Sequence, residues 1–183
     1  MKNIALILTF FLCIGCKNNH RDVNTAQVKT SGHEDHNDTR SEHSSANEQM
    51  HQSSVEKLIE RFESPERDAY QQPEKVLEFL GDLQGQTIMD IGAGSGYFSV
   101  KLAEKGAKVI AADVDDEFQE FLQRRIEKSN LDNIETRKIP YDSPNLKEEE
   151  VDMVLIVNAY HHIENRPEYF TKVKKGTKPE GQL

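Results

Sequence analysis

The 183-residue sequence is poor in cysteine and in basic charge, and it has one short apolar run. Its two cysteines, Cys13 and Cys16, both lie within the first 16 residues, so no disulfide framework is expected. The formal net charge of −9 argues against a nucleic-acid partner, because counterion-release binding needs a basic surface and no basic stripe is present. At this length we expect one folded domain with a modest hydrophobic core.

The apolar run covers residues 4–15 and is too short to span a bilayer. Together with the positively charged start at Lys2, it is typical of a signal peptide. A small residue precedes Cys16, which resembles a bacterial lipoprotein cleavage site, although Cys13 stands where that site usually has leucine. We therefore expect a signal peptide over residues 1–16, membrane attachment through a lipidated Cys16 and a location at the bacterial cell envelope. The alternative is an unprocessed leader and a cytoplasmic protein.

Residues 17–54 form a polar stretch with almost no large apolar side chain. Such a segment cannot bury enough surface to offset its ordering entropy, so we expect a disordered linker. Histidines and carboxylates in it suit zinc, copper or nickel, which leaves a metal site as the alternative to a solvated linker that binds metal weakly. The residues concerned are His33, Glu34, Asp35, His36, Asp38, His43 and His51.

The most informative stretch runs from Ile88 to Phe98, where an apolar segment ends in Asp90 and three alternate glycines. It predicts a strand, a tight turn and the start of a helix, because glycine permits positive φ and lets a flat ligand lie against the main chain. The spacing is G-x-G-x-G, since Tyr97 occupies the third glycine position of the dinucleotide fingerprint. Asp90 either caps the turn or binds a cationic amine, and its charge would repel a diphosphate. A cofactor that carries an amino acid is favoured over a nicotinamide dinucleotide.

A second acidic residue follows at the end of the next predicted strand. The run from Lys108 to Ala112 leads to Asp113, about twenty residues beyond the glycines, where a carboxylate can accept hydrogen bonds from both hydroxyls of a ribose. S-adenosylmethionine combines an amino acid with a ribose and fits both acidic positions.

Residues 62–183 resemble a class I S-adenosylmethionine-dependent methyltransferase. Asp90 to Gly96 matches the first motif of that family, Asp113 its ribose-binding acid and Val151 to Asn158 its fourth strand. Residues 61–68 and 158–162 also resemble a bacterial branch of the family. The resemblance implies a Rossmann-like, doubly wound parallel α/β sheet with S-adenosylmethionine as cofactor. The implied cofactor-binding residues are Gln72, Asp90, Gly92, Ala93, Gly94, Ser95, Gly96, Tyr97, Asp113, Val114, Asp142 and Asn158.

Three of these positions keep a second interpretation. Tyr97 either closes over the methionine end of the cofactor or packs as the first residue of its helix. Gln72 resembles a pocket residue of the bacterial branch or simply precedes a helix. In many relatives an acid after the third strand contacts the adenine amine, but Pro140 aligns there, so the contact passes to Asp142 or to the backbone at Ile139.

The periodicity predicts two lead-in helices followed by alternating strands and helices, which requires a parallel sheet with ligands at the carboxyl ends of its strands. In the family order 3-2-1-4-5-7-6, a fifth strand should begin at about Leu183. We therefore expect a methyltransferase domain over residues 55–183 that lacks its last strands and exposes its fourth strand as an edge. The predicted helices are 55–62, 73–80, 97–105, 117–128 and 166–175, and the predicted strands are 87–91, 108–112, 133–139 and 151–157.

The resemblance implies methyl transfer, and we expect an unidentified acceptor that is a small molecule or an envelope component. No base is obligatory because the cofactor carries the activation. If the acceptor must lose a proton, His161 or His162 is the candidate base, since imidazole titrates near neutrality. The alternative is that both histidines pack at the strand-to-helix turn. Tyr160 is expected to line the acceptor pocket. The competing functions are a lipid-anchored cofactor-binding module without turnover and a non-functional fragment.

Overall fold

The computed structural model describes residues 54–183. The predicted signal peptide, Cys16 and the histidines of the polar linker lie outside the described residues. No helix within residues 54–183 has the length and apolar content needed to cross a membrane.

Three short helices lead into a domain in which strands and helices alternate, except that the third and fourth strands are joined without a helix. The helices are α1 (Val55–Phe62), α2 (Pro65–Gln71), α3 (Pro73–Leu80), α4 (Tyr97–Glu104), α5 (Asp116–Ser129) and α6 (Arg166–Gly176). The strands are β1 (Thr87–Ile91), β2 (Lys108–Asp113), β3 (Ile134–Lys138), β4 (Val151–Ile156) and β5 (Thr177–Gln182). A 3₁₀ turn, Tyr160–His162, follows β4.

All pairings in the sheet are parallel, and the strand order is β3-β2-β1-β4-β5. The predicted parallel α/β architecture is confirmed. Both faces of the sheet are covered, so successive residues of β1 enter opposite hydrophobic clusters: Ile88 packs with Leu102 and Leu122, whereas Met89 packs with Tyr169 and Val173.

The expectation that β4 forms the edge of the sheet is wrong. β5 begins at Thr177 rather than near Leu183, and it pairs with β4 through an irregular register. The Nζ of Lys178 lies 2.8 Å from the Oδ1 of Asp152 on β4, which ties the two strands together. The sequence of β5 contains proline and glycine and no alternation of apolar residues, so it does not predict a strand.

One helix was not predicted, and another begins without the usual N-cap. Helix α2 was not predicted, because it buries no residue and therefore has no apolar periodicity, although Pro65 stands at its first turn. At the start of α6, the side chain of Asn165 donates a hydrogen bond to Glu168 Oε2 at 2.6 Å, but it caps no backbone amide. Asn165 has a φ of 42°, in the left-handed region rather than the extended region usual for a capping residue.

Gly96 offers a test of how the glycine turn is packed. Its φ is +82°, and a Cβ there would lie 2.4 Å from Cδ1 of Leu122. Gly85 has a similar φ of +76°, but an added Cβ would meet no atom within 4 Å. We expect Gly85→Ala to lower the free energy of unfolding by about 1 kcal/mol through backbone strain, and Gly96→Ala to lower it by at least about 1 kcal/mol more through the clash. Urea denaturation measures both, and equal losses would contradict the packing argument.

Candidate functional site

A cavity of about 760 Å³ lies at the carboxyl ends of β1, β2 and β4. Its floor is the loop after β1, from Gly92 to Gly94, together with Asp113 at the end of β2 and Asn158 after β4. Residues of α1 form another wall. The volume lies in the range of small-molecule sites, and the position is the one that parallel α/β sheets use for ligands.

The glycine loop is fixed to the end of β2 by its own backbone. The amides of Gly92 and Ala93 both donate to the carbonyl oxygen of Ala112, at 2.9 and 3.0 Å. Gly92 has a φ of +75°, and a Cβ there would lie 2.4 Å from the Cβ of Ala159. The loop after β4 therefore approaches so closely that only glycine fits.

Asp113 joins the glycine loop to the cavity. It is 7% exposed; its Oδ2 accepts from the Gly94 amide at 2.8 Å and its Oδ1 from the Asp115 amide at 3.0 Å. Burial raises the pKa of this carboxyl, against the opposing effect of the two backbone hydrogen bonds. Each carboxylate oxygen can accept a further hydrogen bond. The group is thus placed to receive two hydroxyl donors from a ligand.

Asp90 lies deeper, near the end of β1, and does not line the cavity. It is 3% exposed, and its Oδ2 accepts a hydrogen bond from Ser99 Oγ at 2.7 Å. Burial raises the pKa of Asp90 to about 6; the charge of Asp113 adds to this, while the Ser99 hydrogen bond and Arg67 oppose it. The first acidic residue of the motif is therefore buried beneath the cavity-lining loop and has no direct contact with the cavity.

The lead-in helix α1 is held against the glycine loop by contacts between segments that are far apart in the sequence. The ring of Phe62 stacks on Phe118 with centroids 5.8 Å apart. Glu63 accepts a hydrogen bond from Ser95 Oγ at 2.5 Å and forms an ion pair with Arg125 at 2.8 Å. The only signal for these contacts in the sequence is the resemblance of residues 61–68 to a bacterial branch of methyltransferases.

Tyr97 is packed as the buried first residue of α4, which agrees with the second of its two interpretations. Its ring is 5% exposed, and its hydroxyl donates to Asp68 at the start of α2. Burial is the main reason that the pKa of this phenol is raised above its usual value. The guanidinium carbon of Arg67 lies 4.1 Å from the ring centroid. Tyr97 thus joins α4 to α2 and does not line the cavity.

His161 and His162 both line the cavity just beyond β4. Their ring centroids are 4.1 Å apart. Burial lowers the pKa of His162, and the charge of His161 lowers it further, so the imidazole of His162 favours its neutral form. Tyr160 does not line the cavity, contrary to expectation: it is 53% exposed and its ring lies 5.8 Å from Phe170.

The cavity brings together eight of the fourteen predicted site residues. They are Gly92, Ala93, Gly94, Asp113, Val114, Asn158, His161 and His162. Six others do not line it, namely Gln72, Asp90, Ser95, Gly96, Tyr97 and Asp142. Gln72 is exposed at the joint between α2 and α3, and exposed Asp142 offers its carbonyl to Lys172 Nζ at 2.9 Å. Ile139, the alternative to Asp142, does line the cavity together with Pro140.

Asp90 predicts a pH-dependent stability with a definite sign. Its pKa in the folded protein lies above the ordinary value of 3.8, so its contribution to stability is full below that value and is lost as the pH rises through about 6. The amide of the Asp90→Asn variant stays neutral throughout. Between pH 4 and pH 8, we expect the unfolding free energy of Asp90→Asn minus that of the wild type to rise by about 2–3 kcal/mol. Urea denaturation across this range measures the difference, and a constant difference would contradict the assignment.

Residues 88–181 match a family model described as a methyltransferase domain. A SAM-dependent methyltransferase from Aquifex aeolicus is similar in structure, with a TM-score of 0.64 and 27% identity over 69% of each chain. Phosphoethanolamine N-methyltransferase 1 from Haemonchus contortus, solved with phosphoethanolamine and S-adenosylhomocysteine, has a TM-score of 0.53 and 26% identity over 60% of this chain and 23% of its own.

Among curated proteins, the ubiquinone biosynthesis O-methyltransferase of Acinetobacter baumannii (strain ACICU) is 28% identical over 97 residues, which are 53% of this chain and 40% of that protein. The chain spans less than half the length of the curated relatives it matches. The family match covers residues 88–181, more than half of the chain, and includes the glycine loop, Asp113 and Asn158. The chain therefore belongs to the methyltransferase domain family, in the S-adenosylmethionine-dependent class I group.

Proposed function

We propose that this protein binds S-adenosylmethionine in the cavity at the carboxyl edge of its sheet and transfers the methyl group to a small-molecule acceptor. The observation that carries the proposal is the buried carboxylate of Asp113, which lines the cavity and is hydrogen-bonded to the Gly94 amide of the glycine loop at 2.8 Å. Because the chain belongs to a methyltransferase family, S-adenosylmethionine is the ligand that we expect this carboxylate and loop to bind.

The residues of the cavity fit the parts of the cofactor. Asp113 can accept from the two ribose hydroxyls, and Gly92 to Gly94 leave the main chain open to a flat ligand because they carry at most a methyl side chain. Val114, Ile139 and Pro140 provide an apolar surface for a purine. The amino-acid end would lie within the field of Asp90, which favours a cationic ammonium group.

When bound, S-adenosylmethionine supplies a methyl carbon that is already activated by its sulfonium sulfur. The protein then contributes mainly position and exclusion of water. Asn158 and the glycine loop would hold the cofactor, and the aromatic residues Phe62 and Phe118 would cover the side of the cavity that α1 closes.

His162 is the better candidate of the two histidines for accepting a proton from the acceptor. Its pKa is lowered by burial, so it remains a neutral base at near-neutral pH, and the rate should rise with pH as the imidazole loses its proton. The names of the relatives include both O- and N-methyltransferases, which makes hydroxyls and amines the acceptor groups to test first.

Titration with S-adenosylhomocysteine tests the proposed cofactor site. We expect the full chain to bind it, and Asp113→Ala to weaken binding by about tenfold to a hundredfold, because charge-assisted hydrogen bonds to the ribose are lost. Asp113→Asn keeps one acceptor oxygen and should fall between the two. Asp132→Ala, at an exposed carboxylate outside the cavity, is the matched control. Thermal unfolding shows whether each variant is folded.

Absence of binding by a folded wild-type protein would overturn the proposal. Binding without methyl transfer to any hydroxyl or amine acceptor would favour a cofactor-binding module instead. Transfer of radiolabelled methyl groups from S-adenosylmethionine to a panel of small acceptors distinguishes these two functions.

We propose separately that Cys16 is lipidated and attaches the protein to the cell envelope. The support is the order of charge, apolar run and small residue before this cysteine. In a bacterial host, we expect the wild type to incorporate labelled palmitate and to fractionate with membranes, and Cys16→Ser to do neither. Cys13→Ser is the matched control and should behave as the wild type. Equal labelling of Cys16→Ser and the wild type would contradict the anchor.

A further inference from the structure

Arg67, at the start of α2, places a guanidinium group at the wall of the cavity. Its position is fixed on two aromatic rings: the guanidinium carbon lies 4.1 Å from the ring centroid of Tyr97 and 5.3 Å from that of Phe62. Its Nη1 donates a hydrogen bond to the Phe62 carbonyl at 3.0 Å. A cation held in this way is oriented before any ligand arrives.

Most of the donors of this guanidinium have no partner within the described part of the chain. Of the five N–H groups of an arginine, one is used in the bond to Phe62, and Nε is buried without a hydrogen-bond partner among residues 54–183. None of the ion pairs formed in this range includes Arg67. An unpartnered buried donor is rare in folded proteins and calls for a physical reason.

The neighbouring carboxylates do not neutralise Arg67 by contact. Glu63 is engaged by Arg125 and Ser95, and Asp90 by Ser99. Burial lowers the pKa of Arg67, which shows that the surroundings resist its charge even though these acids favour it from a distance. A partly buried cation with spare donors is stabilised by an anion that can pair with two N–H groups at once, and a carboxylate is such an anion.

We infer that Arg67 binds the carboxylate at the amino-acid end of the cofactor. The inference rests on the proposed function, because it presumes that the amino-acid end of S-adenosylmethionine lies in this cavity. Arg67 and Asp90 then act on the two charged groups of one zwitterion: the guanidinium contacts the carboxylate, and the buried acid favours the ammonium through its field. A carboxylate carried by the methyl acceptor has the same chemistry and is the competing source of the anion.

A pair of ligands separates the two sources. S-adenosylhomocysteine carries the amino-acid end, whereas 5′-methylthioadenosine keeps the nucleoside and lacks it. We expect Arg67→Gln in the full chain to weaken binding of S-adenosylhomocysteine about tenfold or more and to change binding of 5′-methylthioadenosine by less than about twofold. Arg67→Lys keeps the positive charge but lacks the paired N–H donors of a guanidinium. We expect it to lose part of the affinity for S-adenosylhomocysteine and none of the affinity for 5′-methylthioadenosine.

Lys101→Gln is the matched control. Lys101 also places a cation over the ring of Tyr97, with its Nζ 4.8 Å from the centroid, but it does not line the cavity. We expect this variant to bind both ligands as the wild type does. Binding of 5′-methylthioadenosine by Arg67→Gln also shows that the variant is folded.

Three outcomes would overturn the inference. If Arg67→Gln weakens the binding of both ligands equally, Arg67 acts in the packing of α2. If the affinity for S-adenosylhomocysteine is unchanged, another group binds the carboxylate of the cofactor. If Arg67→Gln keeps its affinity for S-adenosylhomocysteine but has a raised KM for the methyl acceptor, the carboxylate that Arg67 binds belongs to the acceptor. If the wild type binds neither ligand, both the proposed function and the inference fail. If the wild type binds both ligands, the proposed cofactor site stands and the Arg67 variants test the inference alone.

Discussion

The site depends on one hydrogen bond, from the Gly94 amide to the Oδ2 of Asp113. It fixes the glycine loop after β1 to the end of β2, while the second oxygen of Asp113 accepts from the Asp115 amide. Because the carboxylate is buried, its charge favours these backbone donors strongly, and movement of the glycine loop would remove one of the two hydrogen bonds of a buried anion. The same side chain that fixes the loop therefore also lines the cavity.

A balance of charge surrounds this bond. Asp90 and Asp113 are both buried, and the pKa of each is raised by desolvation. Arg67 brings a positive charge to the same cavity but pairs with neither acid. The site thus combines the negative charge of two buried acids with the positive charge of one guanidinium, which supports the proposal of a zwitterionic amino-acid ligand over a phosphate-bearing dinucleotide.

Much of the fold was predictable because it follows from local properties. The strand Thr87–Ile91 was predicted with its observed bounds, since a short, mainly apolar run directly before a glycine turn is typical of a buried strand. Helix α2 and strand β5 were missed for the converse reason. Helix α2 buries no side chain, and β5 contains Pro179 and Gly181 and is held by its pairing with β4 and by the contact of Lys178 with Asp152.

The parallel α/β class, the glycine turn and Asp113 could be predicted from the residues alone, because positive φ, apolar periodicity and a strand-end acid are properties of neighbouring residues. The packed chain was needed to show that Asp90 and Tyr97 do not line the cavity, that His162 is the more buried base candidate and that Arg67 lines the site. These features depend on contacts between segments far apart in the chain: Tyr97 bonds to Asp68 on α2, and the α1 wall is held by Glu63. Local pattern carries no record of such contacts, since they exist only after the lead-in helices have packed on the sheet domain.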